Sequence, residues 1–214
     1  MTSATTGRVV QVDHPLIRHK LTLLRRVECD TRDFRQLVSE IANLLTYEAT
    51  KDLETEPFEI TTPVSPMTGE VVSGKKVGVV PILRAGLGMV EGVMQMLPVA
   101  KIGHIGLYRD EETLEPVTYY VKLPEGMDDR DVLLLDPMLA TGGSVSVAID
   151  ELKAAGARSV RLLAIIAAPE GIERLHAQHP DVDVYVAAID ERLNELGYIV
   201  PGLGDAGDRL FGTK

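Results

Sequence analysis

The chain has 214 residues, a formal net charge of −10 and a hydrophobic fraction of 45%. This composition supports a buried core and excludes a disordered or collagen-like chain. A single cysteine, Cys29, excludes an intramolecular disulfide and a thiolate metal cluster. The acidic balance disfavours nucleic acid as a partner, because phosphate contacts require a basic surface. We expect a cytoplasmic protein with no membrane partner, since the N terminus lacks a signal-peptide pattern and the longest apolar stretch, residues 160–168, is too short to span a bilayer.

The first 55 residues are predicted to be mainly helical, after a short strand near residues 9–12. Asp30 precedes an apolar series at helical spacing that runs from Phe34 to Leu45, and residues 16–27 show a weaker form of the same pattern. Basic side chains make the earlier helix cationic, which predicts a solvated face or a subunit contact. These side chains are Arg18, Lys20, Arg25 and Arg26.

From residue 77 onward, short apolar runs alternate with helical segments, which is typical of a parallel sheet covered by helices on both faces. The predicted strands are residues 77–83, 101–108, 132–135, 160–168 and 182–189. The predicted helices are residues 86–97, 144–155 and around 170–178. We therefore expect an α/β fold with its ligands at the carboxyl ends of the strands.

Two segments do not follow this alternation. Residues 109–124 are polar and acidic with one predicted strand at 118–121, and predict a protruding hairpin or lid. The tail is rich in glycine and predicts a loop-rich structure. We interpret the chain as a single domain, residues 1–214, with a helical N-terminal part (1–55), a lid (about 109–124) and a small C-terminal hood (about 194–214).

The strongest chemical signal is residues 136–144, which read Asp-Pro-Met-Leu-Ala-Thr-Gly-Gly-Ser between a predicted buried strand and a predicted helix. Two glycines allow successive backbone N–H groups to converge, and the threonine and serine hydroxyls add donors. The N terminus of the helix supplies unpaired N–H groups and a positive dipole end. The segment therefore predicts a monophosphate site, with Asp136 accepting hydrogen bonds from sugar hydroxyls. The alternative is a strand, a turn and a capped helix without a ligand.

This segment resembles the phosphoribosyl-diphosphate (PRPP) loop of uracil phosphoribosyltransferases, a branch of the type I phosphoribosyltransferases. Residues 81–89 (Pro-Ile-Leu-Arg-Ala-Gly-Leu-Gly-Met) and residues 202–212 (Gly-Leu-Gly-Asp-Ala-Gly-Asp-Arg-Leu-Phe-Gly) resemble two further motifs in the right order. The similarity covers nearly the whole chain. Pro137 stands where most type I loops carry a second acid, as in uracil-specific members. The resemblance implies a type I core, and the transfer of the phosphoribosyl group of PRPP to uracil, which gives UMP and diphosphate in pyrimidine salvage.

The resemblance also implies a site assembled from the three motifs. The PRPP-binding residues would be Arg84, Arg109, Asp136, Pro137, Met138, Leu139, Ala140, Thr141, Gly142, Gly143, Ser144 and Asp205. The uracil pocket would consist of Ile199, Gly204, Asp205 and Ala206, largely through backbone groups. The expected catalytic residues are Asp136, Asp205 and Arg84, with Asp205 assisting deprotonation of uracil N1. Mg²⁺ is the expected cofactor, and no direct protein ligand is assigned to it.

Further partners are implied by the family alone. Its members commonly form dimers or higher oligomers, so we expect a homo-oligomer (a dimer or tetramer), and some members are activated by GTP. Two alternatives keep the PRPP site: a phosphoribosyltransferase for another base, and a PRPP-binding regulator of RNA, which the acidic charge disfavours.

Two other patterns are weighed and set aside. Residues 202–207 match G-x-G-x-x-G formally, but they lie too near the C terminus to open the βαβ unit that a dinucleotide requires. Glu173, His176 and His179 share helical spacing, which favours a solvated face over a metal site.

Overall fold

The computed structural model describes residues 7–73, 77–109 and 116–213, except for the side chain of Arg109. The helices are α1 (Pro15–Arg25), α2 (Thr31–Ala49), α3 (Leu87–Met96), α4 (Gly143–Ala154), α5 (Pro169–Gln178) and α6 (Ala206–Phe211). The strands are β1 (Val9–Gln11), β2 (Thr55–Thr61), β3 (Pro66–Val72), β4 (Val77–Leu83), β5 (Lys101–Ile102), β6 (His104–Arg109), β7 (Pro116–Lys122), β8 (Asp131–Leu135), β9 (Met138–Leu139), β10 (Ser159–Ala167), β11 (Asp183–Ile189), β12 (Arg192–Leu193) and β13 (Ile199–Val200).

A largely parallel sheet forms the centre of the protein. Its strand order is β1-β11-β10-β8-β4-β6-β7, with β5 beside β4 and β9 beside β10. Among the strands that the structure describes in this sheet, only β7 runs antiparallel, against β6. The central strands β4, β8 and β10 are buried almost throughout, as expected for strands covered on both faces. The predicted α/β fold is confirmed.

Helices cover the two faces of this sheet and bury separate apolar clusters. On one face, α2 contributes Phe34, Ile41 and Leu45, and on the other, α4 contributes Ile149 and Leu152; all five side chains are fully buried. Burial of each such side chain stabilises the fold by about 1.5–3 kcal/mol. The apolar residues at helical spacing in the sequence therefore form the face of each helix that packs against the sheet.

The start of α2 follows directly from the sequence. Asp30 is its N-cap, and its carboxylate accepts a hydrogen bond from the N–H of Asp33 at 2.8 Å. On α3, Gly92 allows close packing on α2, because a Cβ there would lie 1.9 Å from the carbonyl oxygen of Ser39. Gly92 therefore has a packing role between the two helices.

The region predicted as one strand at residues 101–108 forms two strands, β5 and β6. Both pair with β4, and the N–H of Gly103 between them donates to the carbonyl oxygen of Val79 at 2.9 Å. The predicted hairpin is confirmed by the antiparallel pairing of β6 with β7, from His104↔Lys122 to Arg109↔Pro116. The rest of the predicted lid, residues 110–115, lies outside the described residues, so the lid function stays a prediction.

Strands β2 and β3 form an antiparallel hairpin that the sequence analysis did not predict. We call residues 55–72 the arm. Its register runs from Thr55↔Val72 to Thr61↔Pro66, and nearly every residue of both strands is exposed. Several large apolar side chains of the arm are exposed, namely Phe58, Ile60, Val64, Met67, Val71 and Val72.

The C-terminal tail contains more regular structure than expected. Strands β12 and β13 pair antiparallel, and α6 follows, although the glycine content predicted a loop-rich segment. The helix forms because Asp205 caps it and Gly212, at φ +65°, ends it.

The interpretation of His176 and His179 as a solvated helical face is wrong. Helix α5 ends at Gln178, so His179 lies where the chain turns back towards the sheet and is only 5% exposed. Its Nε2 lies 3.2 Å from the carbonyl oxygen of Ser146, and Nε2 of His176 lies 3.0 Å from that of Val182. Both rings therefore make structural contacts.

Among the described residues, no helix combines the length and the apolar character that crossing a bilayer requires.

Candidate active site at the carboxyl edge of the sheet

Two of the three sequence motifs leave neighbouring strands at the same edge of the sheet. Strands β4 and β8 pair in parallel up to Pro81↔Leu135, so the loop with Arg84 and the loop with Asp136 emerge side by side. Gly86 lies close to the end of β8, because a Cβ there would be 2.4 Å from the carbonyl oxygen of Leu135. The topology thus brings these motifs together at the edge where parallel sheets bind ligands.

The phosphate loop, residues 136–144, is fastened to the sheet along its first half. Strand β9, which is Met138–Leu139, pairs in parallel with the end of β10, and the carbonyl oxygen of Pro137 accepts N–H groups from Ile165 and Ile166 at 3.0 and 3.1 Å. The loop was predicted without a strand. This pairing holds the backbone that leads into α4.

Gly142 is the residue that turns the loop into α4. It has φ +77°, and its carbonyl oxygen accepts the N–H of Ser146 at 2.9 Å as the first bond of the helix. A Cβ at Gly142 would lie 2.9 Å from the carbonyl oxygen of Gly171 on α5. Glycine is therefore favoured here by its conformation and by the lack of space. Beyond it, the first N–H groups of α4 have no acceptor within the helix, which makes this end suited to an anion.

Asp136 lies directly after β8 and faces this loop. Its Oδ1 accepts the N–H of Met138 at 3.2 Å. Burial raises the pKa of Asp136 from 3.8 to about 7, and the hydrogen bond from Met138 opposes the rise only in part. The carboxyl group therefore gains or loses a proton near neutral pH, and groups that donate hydrogen bonds to it favour its charged form.

Arg84 links the loop after β4 to the C-terminal helix. It is exposed, it follows a cis peptide bond from Leu83, and its Cζ lies 5.8 Å from the ring centroid of Phe211. Its guanidinium is therefore placed at the open side of the site. Arg109 is the last residue of β6, next to β4 in the sheet, and its side chain lies outside the described residues.

The C-terminal hood lies against the phosphate loop. Cγ2 of Thr141 is 3.9 Å from the position of a Cβ on Gly197. Of the residues expected to line a base pocket, Ile199 and Ala206 are buried, whereas Gly204 is exposed and has φ +81°. This arrangement leaves backbone groups, and few side-chain functional groups, for ligand recognition.

Asp205 has a structural role that the sequence analysis missed. It is the N-cap of α6, and its Oδ1 accepts the N–H of Asp208 at 2.9 Å. The sequence signal for this cap is an aspartate placed directly before the short segment that forms α6. The cap uses Oδ1 alone, which leaves Oδ2 able to form another contact.

Arg25 does not lie on a solvated face of α1, as one of the two interpretations of its basic side chains predicted. Its side chain is 22% exposed and forms an ion pair with the buried Asp190, with Nη2–Oδ1 at 2.5 Å. Neither residue belongs to a recognised motif, and both adjoin the hood.

The arrangement of sheet, helices and site is that of the type I phosphoribosyltransferase fold. The adenine phosphoribosyltransferase of Trypanosoma brucei, solved with AMP, pyrophosphate and ribose-5-phosphate, has the same fold: the TM-score is 0.59 at 14% identity, over 92% of this chain and 87% of that one. The expected type I core is thereby confirmed.

More specific similarity runs along almost the whole sequence. A family model for uracil phosphoribosyltransferase matches residues 10–213. The uracil phosphoribosyltransferases of Geobacillus kaustophilus (strain HTA426) and Bacillus velezensis are 60% and 59% identical over 208 residues, which is 97% of this chain and 100% of each relative. A solved structure, the AQ2163 protein from Aquifex aeolicus, is 42% identical with a TM-score of 0.92, over 96% of this chain and 99% of that one. The chain belongs to the uracil phosphoribosyltransferase family, as its motifs indicated.

Proposed function

We propose that this protein transfers the phosphoribosyl group of PRPP to uracil, giving UMP and diphosphate in pyrimidine salvage. The observation that carries the proposal is the loop at residues 136–144, which begins with Asp136 directly after β8 and turns into α4 at Gly142, at the carboxyl edge of the sheet. A monophosphate suits the N terminus of α4, and ribose hydroxyls suit Asp136. The family of the chain supports the choice of uracil as the acceptor.

The chemical difficulty in this reaction lies in the departure of diphosphate. Negative charge grows on it as the bond to the anomeric carbon breaks, and a guanidinium presents planar, paired donors to such oxygens. We assign this role to Arg84, which is exposed at the open side of the site, and to Arg109 at the end of β6. Each stabilises the transition state electrostatically, and the protein needs no nucleophile of its own.

Mg²⁺ is the proposed cofactor. Within the part of the chain that the structure describes, no group of three or more His, Cys, Asp or Glu side chains is placed to hold a metal ion. Mg²⁺ commonly binds substrate phosphates and several waters with only one or two carboxylates, so separate acids such as Asp136 and Asp205 fit an ion that arrives with PRPP. When bound, the ion would neutralise charge on the diphosphate.

Recognition of the base is assigned to the backbone around Ile199, Gly204 and Ala206. Uracil presents an acceptor–donor–acceptor edge that main-chain N–H and C=O groups can match. Cytosine presents a different pattern and would leave buried polar groups mispaired, which disfavours its binding. Asp205, between the base and PRPP motifs, is the proposed base for uracil N1, directly or through water.

A product assay tests this function. The protein is incubated with PRPP and Mg²⁺, and with uracil, orotate, hypoxanthine, cytosine or no base, and diphosphate and nucleotide are quantified. We expect UMP and diphosphate in equal amounts with uracil and neither product without a base. Transfer to another base, or RNA binding at physiological salt without diphosphate release, would replace the proposal with one of the two alternatives.

We propose a homo-oligomer, a dimer or tetramer, in which the arm is covered by a second copy. An isolated two-stranded hairpin is marginally stable in water, and the arm exposes apolar side chains such as Phe58 and Met67. Sedimentation or light scattering measures the mass of the protein. A monomer at micromolar concentration would contradict the proposal, and Phe58→Ser with Met67→Ser is expected to lower the mass of the assembly.

Two further properties are proposed from the family. GTP is proposed as an activating effector, tested by initial rates with and without GTP at subsaturating PRPP; an unchanged rate would contradict it. A cytoplasmic location is proposed, tested by fractionation of cells that express the chain.

A further inference from the structure

A buried ion pair holds the turn at Gly202, which follows β13 in the hood. Asp190 is 8% exposed, and its carboxylate binds Arg25 through two hydrogen bonds, Nη1–Oδ2 at 2.7 Å and Nη2–Oδ1 at 2.5 Å. The same two side chains bind both backbone polar groups of Gly202. Oδ2 of Asp190 accepts its N–H at 2.9 Å, and Nη1 of Arg25 donates to its carbonyl oxygen at 2.6 Å.

Both partners are themselves fixed to the main fold. Asp190 follows β11 directly, and its N–H donates to the carbonyl oxygen of Ala167 at the end of β10 at 2.8 Å. Arg25 is the last residue of α1, whose Leu21 and Leu24 are buried in the core. The pair therefore fixes the backbone of Gly202 against the carboxyl edge of the sheet.

Gly202 lies at the turn between the backbone segments assigned to the base. It follows β13, which contains Ile199, and precedes Gly204 by two residues. It has φ +68°, and a Cβ there would lie 2.1 Å from the carbonyl oxygen of Ile199. A shift of this turn would move the backbone groups of Ile199 and Gly204 relative to each other, and recognition by fixed backbone groups tolerates little displacement.

We propose that Arg25 and Asp190 are positioning residues for the base pocket, which set substrate specificity by fixing the turn at Gly202. The inference rests on the proposed function for the identity of the base. Its effect is selective, because the phosphate loop is held by other contacts, the pairing of β9 with β10 and the packing of Gly142 against Gly171. Weakening the pair thus disturbs uracil binding and spares PRPP binding.

The test uses Asp190→Asn and Arg25→Lys in the full-length protein. Asn keeps the shape of Asp190 but places an amide donor beside the donors of Arg25, and Lys cannot form the paired contacts of the guanidinium. We expect KM for uracil to rise about tenfold or more in each variant, with KM for PRPP within about twofold of the wild-type value. Asp131→Asn is the matched control, since it removes a carboxylate that binds Arg158 and Ser159 at the opposite edge of the sheet. It is expected to lower the melting temperature without changing KM for uracil.

Hydrogen–deuterium exchange gives a second readout that does not depend on catalysis. Asp190→Asn is expected to speed exchange of amides in residues 199–206 and to leave residues 138–145 unchanged, whereas Asp131→Asn changes neither. The proposal is overturned if the Asp190 and Arg25 variants only lose stability like the control, or if both KM values rise together. If one variant fails to fold, the other supplies the measurement. If the wild-type protein forms no UMP, the proposed function fails, and the exchange rates still decide whether the pair positions the hood.

Discussion

Asp131 and Asp136 lie at the two ends of β8, and their surroundings displace their pKa values in opposite directions. Burial of Asp131 raises its pKa, but hydrogen bonds from Arg158 and Ser159 outweigh this effect and the pKa is lowered. Burial of Asp136 raises its pKa to about 7, opposed only by the N–H of Met138. One end of the strand thus carries a paired structural acid, and the other end carries an acid kept available for a ligand.

Asp136→Asn is expected to stabilise the protein without ligand at alkaline pH. The pKa of Asp136 is higher in the folded protein than its ordinary value of 3.8, so the folded state holds a proton that the unfolded chain has lost. The free energy of unfolding therefore falls as pH rises from about 4 to about 7, and the variant escapes this loss. Partial access to water reduces the effect, and we expect a gain of about 1–3 kcal/mol near pH 8 and little difference near pH 4.

Urea unfolding at these two pH values measures the effect, with activity expected to fall sharply in the same variant. Asp131→Asn is expected to change the free energy of unfolding in the opposite direction, by destabilising the protein near pH 8. Because the pKa of Asp131 is lowered, its stabilisation is present above its ordinary pKa and is lost as pH falls through its folded value. Loss of stability in both variants near pH 8 would contradict the difference between the two ends of β8.

Gly142→Ala is expected to impair PRPP use more than it impairs folding. Alanine at φ +77° costs about 1–2 kcal/mol, and its Cβ would press on the carbonyl oxygen of Gly171 and displace the loop. We expect kcat/KM for PRPP to fall about ten- to hundredfold. Gly126→Ala is the control, because Gly126 has φ +68° with nothing within 4 Å of its Cβ position. Equal kinetic effects in the two variants would show that backbone strain alone is responsible.

Asp205→Asn separates the two roles of Asp205. Asparagine caps helices as well as aspartate does, so the free energy of unfolding is expected to change by less than about 0.5 kcal/mol. Turnover is expected to fall about 10²- to 10⁴-fold if the carboxylate removes the proton from uracil N1. Near-normal turnover in this variant, with strong loss in Asp136→Asn, would leave Asp205 with its capping role only.

Arg84→Gln is expected to lower kcat/KM for PRPP about 10²- to 10³-fold, because charge on the departing diphosphate loses a guanidinium partner. Arg84→Lys should recover only part of the loss, since an ammonium lacks the paired donors. Phe211→Leu serves as the control for the ring contact with Arg84, and we expect its effect to stay within about fivefold. Steady-state kinetics at varied PRPP measures all three variants, and unchanged kinetics in Arg84→Gln would exclude the assigned role.

The sequence predicted those parts of the fold in which local pattern and burial agree. The apolar period of α2 and the buried runs of β4, β8 and β10 each mark a surface that the core covers. The arm was not predicted because it covers no core of this chain, although Glu59 separates Phe58 from Ile60 at the spacing typical of a strand. The end of α5 at Gln178 was predicted, but the burial of His179 just beyond it was not.

The sequence predicted those parts of the site that lie within one contiguous motif. Residues 136–144 carry their glycines, hydroxyls and carboxylate in a row, so their chemistry is visible before the fold is known. The Arg25–Asp190 pair joins positions 165 residues apart, and Arg25 binds Gly202 177 residues away. No local pattern records such contacts, because they arise only when the sheet brings the first helix, the last central strand and the hood together.

The central claim is that the backbone at the start of α4 binds the 5′-phosphate of PRPP. A crystal structure of the protein soaked with PRPP tests it most directly. We predict phosphate oxygens about 3 Å from the backbone nitrogens within residues 141–144, with the ribose hydroxyls facing Asp136. An empty loop, with the sugar phosphate bound elsewhere on the protein, would contradict the account.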